Sequence, residues 1–371
     1  MMVNEYEGPR GIRKEELADL HALWDVCFPG PAFNLNIGDR LFEDDNLENL
    51  RVFVHQGRPV SHVGVLIFDL MLCSCQVKVA CIGGVCTHGD HRGKRLAGRL
   101  LEDAWRKMRE DGVDFAMISG DRSLYWRAGC AACRPTYTYE VPPAGENAAQ
   151  VTAGDARLYL EDMCRIYQTE PIHFCRSMED LQSITHPWEL HKDKVVFALL
   201  GKSAYVMGWR WQTEKENFCE VLEYAGDRKL LAERAPALAD RFGAPLRFHV
   251  PAWDEELRTG LARAGKQTHY SNCWGGTIKI LALDRMMEKL RPMWGPRAGK
   301  ELMEKISFSQ SDDTAEIALG KETFTLEGKE LAELVFGTVE ERAWAPDKPA
   351  LRDVVRLIFP LPGPQYGLNF I

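Results

Sequence analysis

At ~150 residues per domain, the 371-residue chain is long enough for two or three domains. Hydrophobic residues make up 45% and charged residues 27%, ordinary globular values that argue against a largely disordered chain. Lys and Arg total 46 against 54 for Asp and Glu, and the resulting net charge of −8 argues against a dedicated nucleic-acid binder. No apolar run approaches the ~20 residues of a membrane helix, so no membrane partner is expected. The opening MMVNEYEGPRGIRKEEL has no apolar core of the secretion-signal kind. The 11 cysteines are scattered and odd in number, which fits free thiols in a reducing compartment. The expectation is a cytoplasmic, multidomain protein.

In chain order, Leu17, Leu20, Leu23, Trp24 and Cys27 share one face of a helix over 14–28, ended by Pro29. Apolar runs over 52–54 and 60–75, split by the turn-like Gln56 to Pro59, predict a hairpin or meander. A strand over 77–87 leads through a short loop into a helix over 96–109. Then follow a strand over 115–119, a short helix near 124–128 and a strand over 137–141. Pro142, Pro143 and Gly145 predict a linker, so a first domain is expected over 1–145. The middle stretch, 146–290, repeats the order loosely. A helix over 156–167 precedes strands over 194–200, 204–211 and 218–225, and a helix over 227–242, kinked or broken at Pro236, leads to a strand over 246–250. A third region, 291–371, predicts a helix over 300–306, strands over 315–319 and 322–326, a helix over 328–336 and an extended, Pro-rich tail.

The informative run is VCTHGDHRGKRLAGRLL, Val85 to Leu101. Strand, loop and helix start meet there, and a helix N-terminus offers unpartnered N–H groups with partial positive charge to phosphates. Arg92, Lys94 and Arg95 add charge, and Gly93 lets the backbone approach a ligand closely. The same loop also reads as a plain solvated turn. It is not a P-loop, because Gly89 and Gly93 enclose too few residues and Arg95 follows Lys94. No GxGxxG occurs, so a dinucleotide fold has no support.

Arg92-Gly93-Lys94-Arg95-Leu96-Ala97 resembles the R/Q-x-x-G-x-G/A acyl-CoA loop of the GNAT N-acetyltransferases. Arg95 stands where that family usually has Gly. A Gly-like backbone there would strain the arginine, whereas a helical one would tolerate it. A second match, SGDRSLYWRAGC, places Tyr125 before Gly129 as in the family's Y-x-x-x-G segment. A phenol with a pKa of about 10 stays protonated at neutral pH and can donate to a departing thiolate.

The order of the three regions and the ending PLPGPQYGLNFI resemble the Eis-like (enhanced intracellular survival) branch. That resemblance implies an α/β (α+β) chain of two GNAT-like mixed-sheet domains followed by a sterol-carrier-protein-like α/β domain, the second GNAT-like domain lacking a CoA loop. It implies acetyl-CoA as cosubstrate, no metal, and a primary amine as acceptor: an aminoglycoside, polyamine, peptide or lysine. It further implies Tyr125 as general acid and the α-carboxylate of Ile371 as base. Val85, Cys86, Thr87, Arg92, Gly93, Lys94, Arg95, Leu96, Ala97, Gly98, Gly120 and Asp121 become the cofactor-binding set, and Trp24, Phe28 and Trp126 the substrate pocket. A homo-oligomer is also implied. Two rival readings are a non-catalytic acyl-CoA sensor and a lipid carrier working through the third region.

Other features carry less. Cys130 and Cys133 form a C-x-x-C with no second metal-ligand pair at zinc spacing. His88 and His91 flank the loop and read as solvated or phosphate-touching. Cys86, near the end of a buried strand, reads as a small core residue rather than a nucleophile.

Overall fold

A computed structural model describes residues 5–29, 39–145, 152–185, 194–337 and 346–370. Ile371, the expected base, lies outside the described residues. The chain divides into two compact units. The first is Met1–Cys133 with Gly275–Leu361 and Phe370–Ile371, and the second is Arg134–Trp274 with Pro362–Asn369.

The chain begins with β1 (Glu7–Gly11), α1 (Leu17–Cys27), β2 (Leu50–His55), β3 (Arg58–Leu72), β4 (Cys75–Thr87), α2 (Leu96–Glu110), β5 (Phe115–Ile118) and α3 (Ser123–Arg127). The second unit follows with β6 (Thr136–Val141), β7 (Thr152–Ala153), α4 (Leu160–Tyr167), β8 (Ile172–Phe174), α5 (Met178–Thr185), β9 (Val195–Leu200), β10 (Ala204–Gln212), β11 (Asn217–Gly226), α6 (Arg228–Phe242), β12 (Leu246–Pro251), α7 (Glu255–Ala264) and β13 (Lys266–Ser271). The first unit resumes with β14 (Thr277–Ile280), α8 (Leu283–Lys289), α9 (Arg291–Ala298), α10 (Lys300–Lys305), β15 (Ile306–Ser311), β16 (Thr314–Leu319), β17 (Glu322–Glu327), α11 (Lys329–Phe336) and α12 (Pro349–Ile358).

In the first unit one sheet runs in the order β1-β2-β3-β4-β5-β14, with β4 and β5 parallel and β14 antiparallel to β5. The helix α2 covers it because Leu96, Leu100, Leu101, Ala104, Trp105 and Met108 recur at helical spacing and are all buried. The buried Asp103 of α2 accepts from Arg51 Nε of β2 at 2.7 Å, which pins the helix in register. A smaller antiparallel sheet, β15-β16-β17, belongs to the same unit. Phe336 of α11 meets Phe115 of β5 with ring centroids 5.1 Å apart.

The second unit holds a seven-stranded sheet in the order β13-β6-β12-β11-β10-β9-β7. Here the structure departs from the sequence reading. The strand expected to end the first domain, β6, pairs with β12 and β13 instead, while β14 takes the place beside β5. The reason is burial: Tyr139 and Val141 join Phe248 and Val250 of β12 in the second unit's core. The units therefore change over after Cys133 and Trp274 rather than at the expected 145 and 290, and residues 291–361 group with the first unit while Pro362–Asn369 group with the second. The helix α6 also runs unbroken through Pro236, held by the buried Leu231, Ala235, Leu238 and Ala239. Among the described residues no helix is long and apolar enough to cross a membrane.

Candidate active site

The site begins where β4 outruns its neighbour. Parallel pairing of β4 with β5 ends at Ile82 and Ile118, and the Ser119 N–H to Ile82 O bond at 3.0 Å is the last rung. Beyond it, β4 continues to Thr87 paired with β3 alone. A register shift there sets Gly84 and Val85 against a single residue of β3, a β-bulge. Gly84 is required at this point. Its φ is +59°, and a Cβ would lie 2.1 Å from the Trp24 ring. The strand end thus presents backbone at Val85, Cys86 and Thr87 without a β5 partner. On the β3 side Ser61 Oγ donates to Cys86 O at 3.0 Å and meets Thr87 Oγ1 at 2.8 Å.

The loop that follows brings most of the expected cofactor-binding residues together. After a short 3-10 turn at Gly89–His91, the helix α2 starts at Leu96, so the N–H groups of Leu96, Ala97 and Gly98 lie in its first turn. Gly93 has φ +79° with open space around it, and Arg92 Nε donates to Thr87 O at 3.3 Å. Arg95 is the helix N-cap and adopts φ +60°, ψ +21°. This resolves the two readings of that position: the backbone is Gly-like, and the arginine is held in the left-handed region at a cost of about 1–2 kcal/mol. Arg95→Gly should therefore stabilise the fold by about 1 kcal/mol after the added unfolded-state entropy, read as a higher urea midpoint at constant slope.

Lys94 is hydrogen-bonded to side chains near the chain's start. Its ammonium donates to the Tyr6 hydroxyl at 2.6 Å and to Glu5 at 3.2 Å, and these contacts raise its pKa. Tyr6 in turn lies 3.0 Å from His91 Nδ1, and burial together with His55 and Lys94 lowers the His91 pKa. His91 is thus engaged with Tyr6 rather than freely solvated. His88 caps the 3-10 turn, its Nδ1 accepting from Asp90 N–H at 3.4 Å.

Tyr125 lies on α3, 6% exposed, its ring packed across Gly120, where a Cβ would come within 2.6 Å of it. Burial pushes the phenol up to about 12, against the pull of Arg122. Asp121 contributes its carbonyl, which accepts from Trp126 Nε1 at 2.6 Å. That bond folds the half-exposed Trp126 back onto its own loop.

Of the expected pocket aromatics, Trp24 is buried on Gly84, with Phe28 edge-on to it at 5.9 Å. Sequence reasoning missed His62, which is fully buried between Trp24 Nε1 at 3.1 Å and Gly84 O at 2.9 Å. Burial lowers it to about 4, so it is neutral. The Gly83-Gly84 pair inside an apolar strand was the available signal for this bulge and its packing. The Cys86 thiol is buried and raised, first through its hydrogen bond with Cys27, as a core residue would be. Cys27, on the receiving side of that bond and near Arg92, is lowered to about 6. Cys130 is buried and pushed up to about 12 by that burial, and Cys133 is buried too.

Residues 9–133 match the family model described as an acetyltransferase (GNAT) domain. That match covers the β1–α3 part of the first unit, the α2 loop and Tyr125 included. Solved structures similar over nearly the whole length include Eis1 from Mycobacterium abscessus, 11% identical, covering 97% of this chain and 98% of its own with a TM-score of 0.64. A GCN5-related N-acetyltransferase from Anabaena variabilis, 12% identical, covers 97% of each chain with a TM-score of 0.64. A probable N-acyltransferase from Enterococcus faecalis, 13% identical, covers 96% of this chain and 98% of its own with a TM-score of 0.66. At these identities the likeness is one of fold: the chain shares the fold of these structures over nearly its whole length. No curated protein sequence matches the chain significantly.

Proposed function

We propose that the protein is an N-acetyltransferase that moves an acetyl group from acetyl-CoA to a primary amine. The observation that supports this most is the free edge of β4 after Ile82, running straight into an α2 N-terminus flanked by Arg92. An extended thioester chain suits the unpaired strand, and a pyrophosphate suits the helix start. In this reading Val85 to Thr87 hold the chain by backbone groups, and Arg92, Gly93 and the N–H groups of Leu96 to Gly98 hold the phosphates. Lys94 and Arg95 add charge from the same loop. The bound cosubstrate supplies an activated acyl carbon open to direct attack by an amine. Tyr125 donates its hydroxyl proton toward the departing sulfur, and the Ile371 carboxylate takes the proton of the attacking amine. The β15–β17 region corresponds to a sterol-carrier-like part whose work is to carry the tail. The −8 net charge suits a cationic acceptor such as an aminoglycoside, a polyamine, or a lysine of a peptide.

Arg92→Glu tests the phosphate assignment. Reversing one charge next to the phosphates should weaken acetyl-CoA binding by about 10²-fold, since charge-assisted bonds are worth about 1.5–3 kcal/mol. Amine binding should change little. Equal acetyl-CoA affinity in calorimetry would remove Arg92 from the phosphate site.

A further inference from the structure

Within the first unit, α1 lies over the end of β4, and the Trp24 contact fixes how the two line up. Trp24 sits on Gly84, and its Nε1 lies 3.1 Å from His62 Nδ1. His62 of β3 pairs with Cys86 of β4, and paired residues point to the same face of a sheet. Cys27 follows Trp24 by one helical turn on the same side of α1, so it comes down on Cys86. There the Cys86 thiol donates a hydrogen bond to the Cys27 sulfur. Both are free thiols.

The two thiols differ in a way that gives each a separate part. Cys86 is 7% exposed, whereas Cys27, the last residue of α1, is only half-buried and open to a small reagent. The hydrogen bond from Cys86, the nearby Arg92 and His88, and the Thr87 N–H favour the Cys27 anion. They do so against burial and against the negative end of α1. A reachable thiolate beside a second thiol is the arrangement that peroxides oxidise selectively. The acetyl transfer described above uses neither side chain.

We propose that Cys27 and Cys86 are a redox pair: a hydroperoxide oxidises Cys27, and Cys86 then closes a disulfide between α1 and β4. In the first step the Cys27 sulfur attacks one peroxide oxygen. The S–O bond forms as the O–O bond breaks, leaving a sulfenic acid and an alkoxide or hydroxide that takes up a proton. The Cys86 sulfur then attacks the Cys27 sulfur. The S–S bond forms, the S–O bond breaks, and the departing hydroxide leaves as water with the Cys86 proton. Two electrons pass from the thiols to the peroxide. Closing the bond draws α1 and the strand end together, and beyond Ile82 that strand end is held by β3 alone. The bridge is therefore expected to weaken acetyl-CoA binding, a consequence that rests on the reading of Val85 to Thr87 as the acyl-CoA edge.

The full chain treated with hydrogen peroxide, peptide-mapped by mass and titrated with acetyl-CoA in a calorimeter, tests the pair. The expected product is one disulfide joining the peptides of Cys27 and Cys86, reversed by dithiothreitol. Its acetyl-CoA affinity should fall by about 10-fold, the loss expected when a backbone hydrogen bond or two no longer line up. Cys86→Ser has no resolving thiol, so Cys27 should stop at a sulfenic acid that dimedone traps. Cys27→Ser should bind acetyl-CoA equally well before and after peroxide. Oxidation at the exposed Cys175 while Cys27 stays a thiol overturns the proposal. So does a Cys27 carried to the sulfinic acid with Cys86 still free. A bridge that leaves acetyl-CoA affinity unchanged overturns the control of binding. If even the reduced chain binds no acetyl-CoA, the reading of the strand end fails instead, and the peptide map still decides the pair.

Discussion

Tyr125→Phe should lower kcat by about 10²-fold and leave the KM for acetyl-CoA nearly unchanged. The ring is buried across Gly120, so phenylalanine keeps the packing and loses only the hydroxyl. The size of the effect follows from burial. A phenol pushed up to about 12 is a weak acid beside a thiol of pKa about 8.5, and complete transfer would be uphill by roughly 5 kcal/mol. Tyr125 therefore acts chiefly as a preorganised donor to the developing thiolate, which is worth about 10²–10³-fold when lost. The sign of the pH dependence also follows. A raised pKa keeps the hydroxyl protonated at all lower pH, so Tyr125 should add no falling limb to kcat below about pH 10. Full turnover in the phenylalanine variant would mean that the sulfur leaves without this residue.

Removing Ile371 alone should reduce turnover further, by about 10²–10⁴-fold. The shortened chain still ends in a carboxylate, but on Phe370, set back by roughly 3.3–3.6 Å. A base must lie within hydrogen-bond reach of its proton or of one bridging water, and this displacement exceeds that tolerance. An α-carboxylate with a pKa of about 3.5 is a poor base for an ammonium, so a water relay or a desolvated site must help it. A short Gly-Ser extension after Ile371 should act in the same way. Thermal stability and acetyl-CoA affinity should change little, since the α2 loop is untouched. Parental rates in both variants, measured with the best available amine, would exclude the terminal carboxylate as the base.

What could be read in the sequence was what is contiguous in the chain. The β4–loop–α2 run and the α3 tyrosine each depend on a dozen or so neighbouring residues, and the α2 pattern is strongly amphipathic. The exchange of β6 and β14 was not legible, because strand pairing is decided by partners far away: β14 pairs with β5 across the whole second unit. The helix α12 had a readable stripe in Leu351, Val354, Val355 and Ile358, but the prolines around it pointed to an extended tail. Arg95 left two readings open, because a residue letter does not report φ. Arg176 and Glu223 look like ordinary surface charges until β11 and the tail enclose them. The contacts of Lys94 with Tyr6 and Glu5 were likewise not legible, because they join positions almost ninety residues apart.

Release of free thiol from acetyl-CoA tests the central claim most directly. The purified full chain would be screened against aminoglycosides, polyamines, small peptides and lysine-bearing proteins, with mass detection of the acceptor. The expected result is amine-dependent thiol release matched by an acceptor heavier by one acetyl group, abolished by Arg92→Glu at limiting acetyl-CoA. Tight acetyl-CoA binding with no thiol released for any amine class would contradict it and mark the protein as a non-catalytic acyl-CoA binder.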